Sequence, residues 1–195
     1  MLVLLILGGL TYAGFYFGKQ TKKTEKQITV TEISPTPKEQ ATLTPYPLIT
    51  ILGGLPKSAG LSFDQYSVTT PDGWTSKKES QTALDEKLIL EKDGYSISIF
   101  QAATGGALCL YPGDADFEGP SSKFEIYITL NTKDNRTLRR SGDKNATSFT
   151  VCQKSADGSY QHPTGYGHIS IKLPSAWDNE GLKVVDSIIS SLKKI

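Results

Sequence analysis

DEKLILEKDGYSISIFQ, residues 85–101, is the stretch on which the fold turns. Period-2 alternation on either side, over 87–92 and 95–101, brackets Asp93-Gly94. Both residues of that dipeptide tolerate the left-handed backbone a two-residue hairpin turn requires, so the segment reads as two antiparallel strands. Working outward, QYSVTT at 65–70 runs into Pro71-Asp72-Gly73-Trp74, where Pro fixes φ and Gly permits a left-handed residue. Further on, Phe124, Ile126, Ile128 and Leu130 alternate with Glu125, Tyr127 and Thr129, which predicts a strand with one buried face. Residues 146–153 and 168–173 supply two more strands. The domain is expected to be mostly antiparallel sheet.

The C-terminal stretch DNEGLKVVDSIISSLKKI changes period. Leu182, Val185, Ile189 and Leu192 recur at helical spacing, with Val184 and Ile188 broadening the stripe. Asp178 or Asn179 can cap its start, and Lys193 and Lys194 suit the negative end of the helix dipole. Such a helix must cover a sheet face, because alone it would expose that stripe. The apolar run LITILGGL at 48–55 is too short to span a bilayer and reads as a strand or a packed lead-in.

Residues 1–18, MLVLLILGGLTYAGFYFG, carry no charged side chain. As a helix they would reach about 27 Å at about 1.5 Å per residue, nearly the hydrocarbon thickness of a bilayer. Tyr12, Tyr16 and Phe17 gather at the far end, where aromatic rings favour the interface. A cleaved signal peptide would want a small-residue site of the A-x-A kind, and Ala13 is the only Ala in the stretch. An uncleaved transmembrane anchor is therefore expected. Residues 19–47 turn to Lys, Thr, Glu and Pro, and Pro35, Pro37, Pro45 and Pro47 favour extended chain. This linker would span about 30 Å as a coil. The lysines after the anchor (19, 22, 23 and 26) would by the positive-inside rule hold the remainder in the cytoplasm. The stalk composition and a bridgeable Cys pair argue instead for a single-pass membrane protein with its domain, 48–195, outside the cytoplasm.

Across 195 residues, 21 Lys+Arg face 20 Asp+Glu, a formal charge of +1 that gives no field for gathering nucleic acid. Two cysteines exclude a disulfide-rich miniprotein and a Cys-only zinc site.

FDQYSVTTPDGW at 63–74, the hairpin at 85–101 and VVDSIISSLKK at 184–194 together resemble the Mog1/PsbP-like superfamily. The aromatic-x-hydrophobic strand leading into Pro-x-x-Trp is matched by Tyr66, Val68, Pro71 and Trp74, and the late hydrophobic helix by 184–192. The likeness spans residues 62–101 and 166–195; the Gly-rich middle, 102–165, which holds both cysteines, departs from it. The resemblance implies an α+β sandwich, an antiparallel sheet covered by helices, acting as a non-catalytic binding or assembly module. It carries over no catalytic residue. The layout is also similar to that of anchored, exported bacterial proteins, so the expected partner is an unknown protein or envelope ligand.

Three constellations could carry chemistry. Cys109 and Cys152, 43 positions apart beside strand-like sequence, read as a disulfide in an exporting context and as two buried thiols in a cytoplasmic one. In DADFEGPSSKFE, Asp114, Asp116, Glu118 and Glu125 fall at positions one, three, five and twelve of a calcium loop, with Gly119 at six. Ser121 at position eight, the lack of flanking helices and the strand opening at Glu125 favour a solvated acidic loop; calcium is the one cofactor the sequence suggests. His162 and His168 flank PTGYG. They read either as hydrogen-bonded surface imidazoles or as the base of an envelope hydrolase, if a Ser or Asp comes within reach. No G-x-S-x-G elbow, Walker loop or H-E-x-x-H is present. Arg136, Arg139, Arg140 and Lys144, diluted by Asp134 and Asp143, read as a solvated hairpin.

Overall fold

A computed structural model describes residues 47–195. The anchor expected at 1–18 and all but the last residue of the 19–47 linker lie outside the described residues. No helix among the described residues is long and apolar enough to cross a membrane.

In chain order the strands are β1 (Leu48–Gly53), β2 (Tyr66–Pro71), β3 (Thr75–Glu79), β4 (Glu86–Lys92) and β5 (Tyr95–Gln101). There follow β6 (Ala107–Leu110), β7 (Ser121–Lys123), β8 (Ile126–Asn131), β9 (Thr137–Gly142) and β10 (Ser148–Lys154). The chain closes with β11 (Tyr160–His162), β12 (His168–Lys172), the helix α1 (Asn179–Ser190) and a two-residue β13 (Lys193–Lys194). Antiparallel pairing runs β3-β4-β5-β12-β10-β9-β8. β11 pairs with the far end of β10 and with β6, and β6 pairs with β7 in parallel, so the large sheet is mixed. A second sheet has the order β1-β2-β13.

The central hairpin folds as its sequence requires. Asp93 and Gly94 both have positive φ, 50° and 83°, the backbone of a two-residue turn that matches strand twist. One side of the large sheet is the core. Leu88, Leu90, Ile97, Ile99, Val151, Ile169 and Ile171 are buried there, under Leu182, Val185, Ile188 and Ile189 of α1. Each such side chain contributes about 1.5–3 kcal/mol on burial. The helix starts where Asp178 Oδ1 accepts the Gly181 N–H at 2.7 Å. It is tied to the sheet by Arg140, whose guanidinium donates to both Asp186 oxygens at 2.6 and 3.2 Å.

The structure corrects several expectations. One α-helix, not a set of helices, covers the sheet among the described residues. Lys193 and Lys194 pair with Ser67 and Tyr66 as a strand instead of closing the helix. Val184 does not widen the buried stripe but is 36% exposed. On β8, Ile126 and Leu130 pack on the core while Ile128 is 39% exposed, because β8 is the last strand on its side and α1 does not reach across it fully. Residues 48–53 do form a strand, but an outer one: Ile51 packs on the core, and Leu48, Ile49 and Leu52 are exposed.

Candidate functional site

Register places the other face of the large sheet in rows. Lys87 lies beside Phe100 and His168; Ile89 beside Ser98 and Ser170; Glu91 beside Ser96 and Lys172. These are the partners of alternate positions to the buried rows, so no core side chain shares their face. The surface is concave, about 990 Å³, and walled at one side by Glu79 at the end of β3 and by Gln81 and Asp85 of the β3–β4 connection. Asp85 holds that connection in place by accepting the N–H groups of Gln81 and Thr82. Those bonds, the Gln81 one foremost, keep its carboxyl below the usual range. Ser96, Ser98, Ser170 and Ile89 form the floor, ions of both signs lie at the ends, and Phe100 and His168 supply the rings. On the floor Ser96 Oγ donates to Glu91 Oε1 at 3.2 Å, and no histidine takes part in that contact.

The two histidines meet at the edge of this surface. Their ring centroids are 5.8 Å apart. His168 Nε2 is 2.6 Å from Thr104 Oγ1, and His162 Nε2 is 3.3 Å from Ser122 Oγ. Burial pushes both imidazoles below their ordinary pKa, and for His168 the charge of His162 adds to the push. His162 also lines a cleft of about 560 Å³ with Phe63, Phe117 and Pro163. No carboxylate bonds either ring among the described residues. The arrangement can pass a proton between Ser122 and His162, but it has no group to orient the imidazole.

Of the calcium-loop carboxylates, Asp114, Asp116 and Glu125 line one cleft of about 700 Å³, and Glu118 does not. Asp114 Oδ2 accepts the Tyr111 N–H at 2.8 Å, Asp116 pairs with Lys123 at 2.6 Å, Glu125 accepts the Lys144 N–H at 3.1 Å, and Glu118 is exposed. Among the described residues no group of three or more His, Cys, Asp or Glu gathers to hold a metal ion. The loop lacks the flanking helices that turn alternate ligands inward, and Asp114, Asp116 and Glu125 each take a separate partner.

Cys109 and Cys152 are at bonding distance, S–S 2.09 Å, and with Tyr111 they form a second small core, flanked by Phe124 and Tyr160. Compared with known protein families, curated proteins and solved structures, the chain matches none. The geometry of this molecule alone therefore carries the functional argument.

The arginines depart furthest from the solvated hairpin expected of them. Arg140 is buried against Asp186, and Arg136 pairs with Asp64 at 2.6 Å and Asp134 at 3.3 Å. Arg139 is enclosed by aromatic rings, 3.9 Å from the centroids of Tyr127 and Tyr160 and 4.4 Å from that of Tyr111. The sequence holds one signal of this: Tyr127 is an aromatic on the polar side of an alternating strand. The rest depends on the path of residues 102–125, which no local pattern dictates.

Proposed function

We propose that this chain is a non-catalytic binding module, a variant of the Mog1/PsbP-like sandwich with part of one sheet face left bare, tethered by residues 1–18 to a membrane and displayed outside the cytoplasm. Its ligand is a polar component of the cell envelope, docked across Ser98 and Ser170. One observation carries the reading: α1 covers one side of the large sheet, and over β3, β4, β5 and β12 the opposite side is concave, open and lined by hydroxyls and ions of both signs. A bare sheet face needs no such arrangement for folding, whereas ligand sites combine a concave shape with a few converging polar groups. The antiparallel order of the central strands and the terminal helix support the family reading. Ser98→Trp and Ser170→Trp fill the floor without touching the core. Both variants should melt like the parent and lose retention on isolated envelope material. Retention by both would sink the proposal.

A hydrolase is the second reading, favoured by the Ser122–His162 contact at 3.3 Å. Under it, a serine-reactive fluorophosphonate labels Ser122 and His162→Gln abolishes the labelling. An unlabelled parent protein removes this reading.

A further inference from the structure

We propose that Arg139 anchors a second ligand site, separate from the open face and independent of that reading, which takes a small monocarboxylate. Of the three arginines on β9 and its approach, Arg136 and Arg140 have carboxylate partners, and Arg139 has none among the described residues. Its Nε is buried and has no hydrogen-bond acceptor. Arg139 as a whole is half-buried, so the charge keeps some access to the cavity, while its buried Nε loses water without gaining an acceptor, which is costly. The faces of Tyr111, Tyr127 and Tyr160 offset part of that cost and fix the plane of the group. Tyr111 is itself held by its hydroxyl against Ser141 Oγ at 2.9 Å, and its ring stands edge-on to Tyr160.

This clamped cation lines a cavity of about 310 Å³ with Leu108, Leu110, Ser159, Tyr160 and Cys109 of the disulfide. The chemistry of the walls selects the anion. A guanidinium fork matches the two oxygens of a carboxylate. The leucines and the cystine suit an apolar substituent. Asp114 also lines the cavity, with Oδ2 engaged by the Tyr111 N–H, and its charge opposes a dianion more than a monoanion. Phosphate is thereby disfavoured and an apolar monocarboxylate preferred. The rigid ring stack means that little ordering is left for binding to cost.

The test titrates the full-length chain with benzoate, with its uncharged isostere benzamide, and with inorganic phosphate, read by calorimetry. Benzoate is expected to bind saturably, and the other two at least about tenfold more weakly. Arg139→Lys keeps the charge but loses the fork and the stack, and should weaken benzoate by about tenfold or more. Ser159→Trp fills the cavity while leaving the ring stack in place, and should abolish binding with an unchanged melting transition. If Arg139→Lys unfolds, Ser159→Trp decides alone. The proposal is overturned if benzoate does not saturate, if benzamide or phosphate binds as tightly, or if Ser159→Trp binds like the parent.

Discussion

Two ionisable arrangements, one buried and one half-buried, set how single residues should respond. Arg140 and Asp186 face each other across the helix–sheet contact at 2.6 Å, and Arg140 is only 6% exposed. Burial pushes the Asp186 carboxyl above its usual range, and the bonds and charge of Arg140 pull it part of the way back. Arg140→Ala leaves that carboxylate uncompensated and should cost about 3–5 kcal/mol in urea unfolding at pH 7. The penalty should shrink as pH falls, because a carboxyl raised in the folded state favours folding when protonated and opposes it when ionised. A pH-independent loss would mean that Asp186 is not the origin. The histidines behave oppositely. Their folded pKa values lie below the usual 6.5, so the stability they contribute is present above pH 6.5 and disappears as pH drops through the folded values. Melting temperature should therefore fall between neutral and mildly acidic pH. His162→Gln with His168→Gln should flatten that part of the profile, since Gln can still meet Ser122 and Thr104 without titrating.

At the scale of elements, the parts legible in the sequence are those whose partners are local. The Asp93-Gly94 hairpin needs only its own turn and alternation, and α1 only its stripe and the Asp178 cap. The parts that were not legible depend on distant chain. Whether 193–194 continue a helix or pair with β2 is decided by Ser67 and Tyr66, far back in the sequence. Arg139 belongs to a tyrosine cage because residues 102–125 fold onto β10, and hydropathy patterning does not record that. The legible elements give firm expectations. Ile189 is 1% exposed beneath the sheet. Ile189→Asp would bury a carboxylate without a partner and should leave the domain unfolded at 25 °C by circular dichroism. Asp178→Ala removes only the cap and should cost about 1 kcal/mol. A folded Ile189→Asp protein would place the helix elsewhere.

In the molecule as a whole, two cores share one sheet. The large one, under α1, contains no cysteine; the small one, around Tyr111, holds both. Display outside the cytoplasm and an oxidised Cys109–Cys152 pair go together, because cytosolic thiols are kept reduced. Protease added to intact cells should accordingly release a fragment beginning near residue 47, and full protection would put the domain inside. The bridge closes a loop over a separation of 43 residues, worth about 4 kcal/mol through restriction of the unfolded chain. That term acts on the unfolded ensemble of the entire chain, so reduction should lower the global melting temperature by several degrees. It also has a local part. Without the bridge, β6 keeps its pairings with β7 and β11, each a few residues long, and the contacts of the adjoining Tyr111, whereas α1 keeps its whole buried stripe. Amide exchange in the reduced protein should therefore rise first at 107–111 and 160–162, with 182–189 still protected. Uniform exchange across both cores would mean that they unfold as one unit and that the disulfide acts on the unfolded state alone.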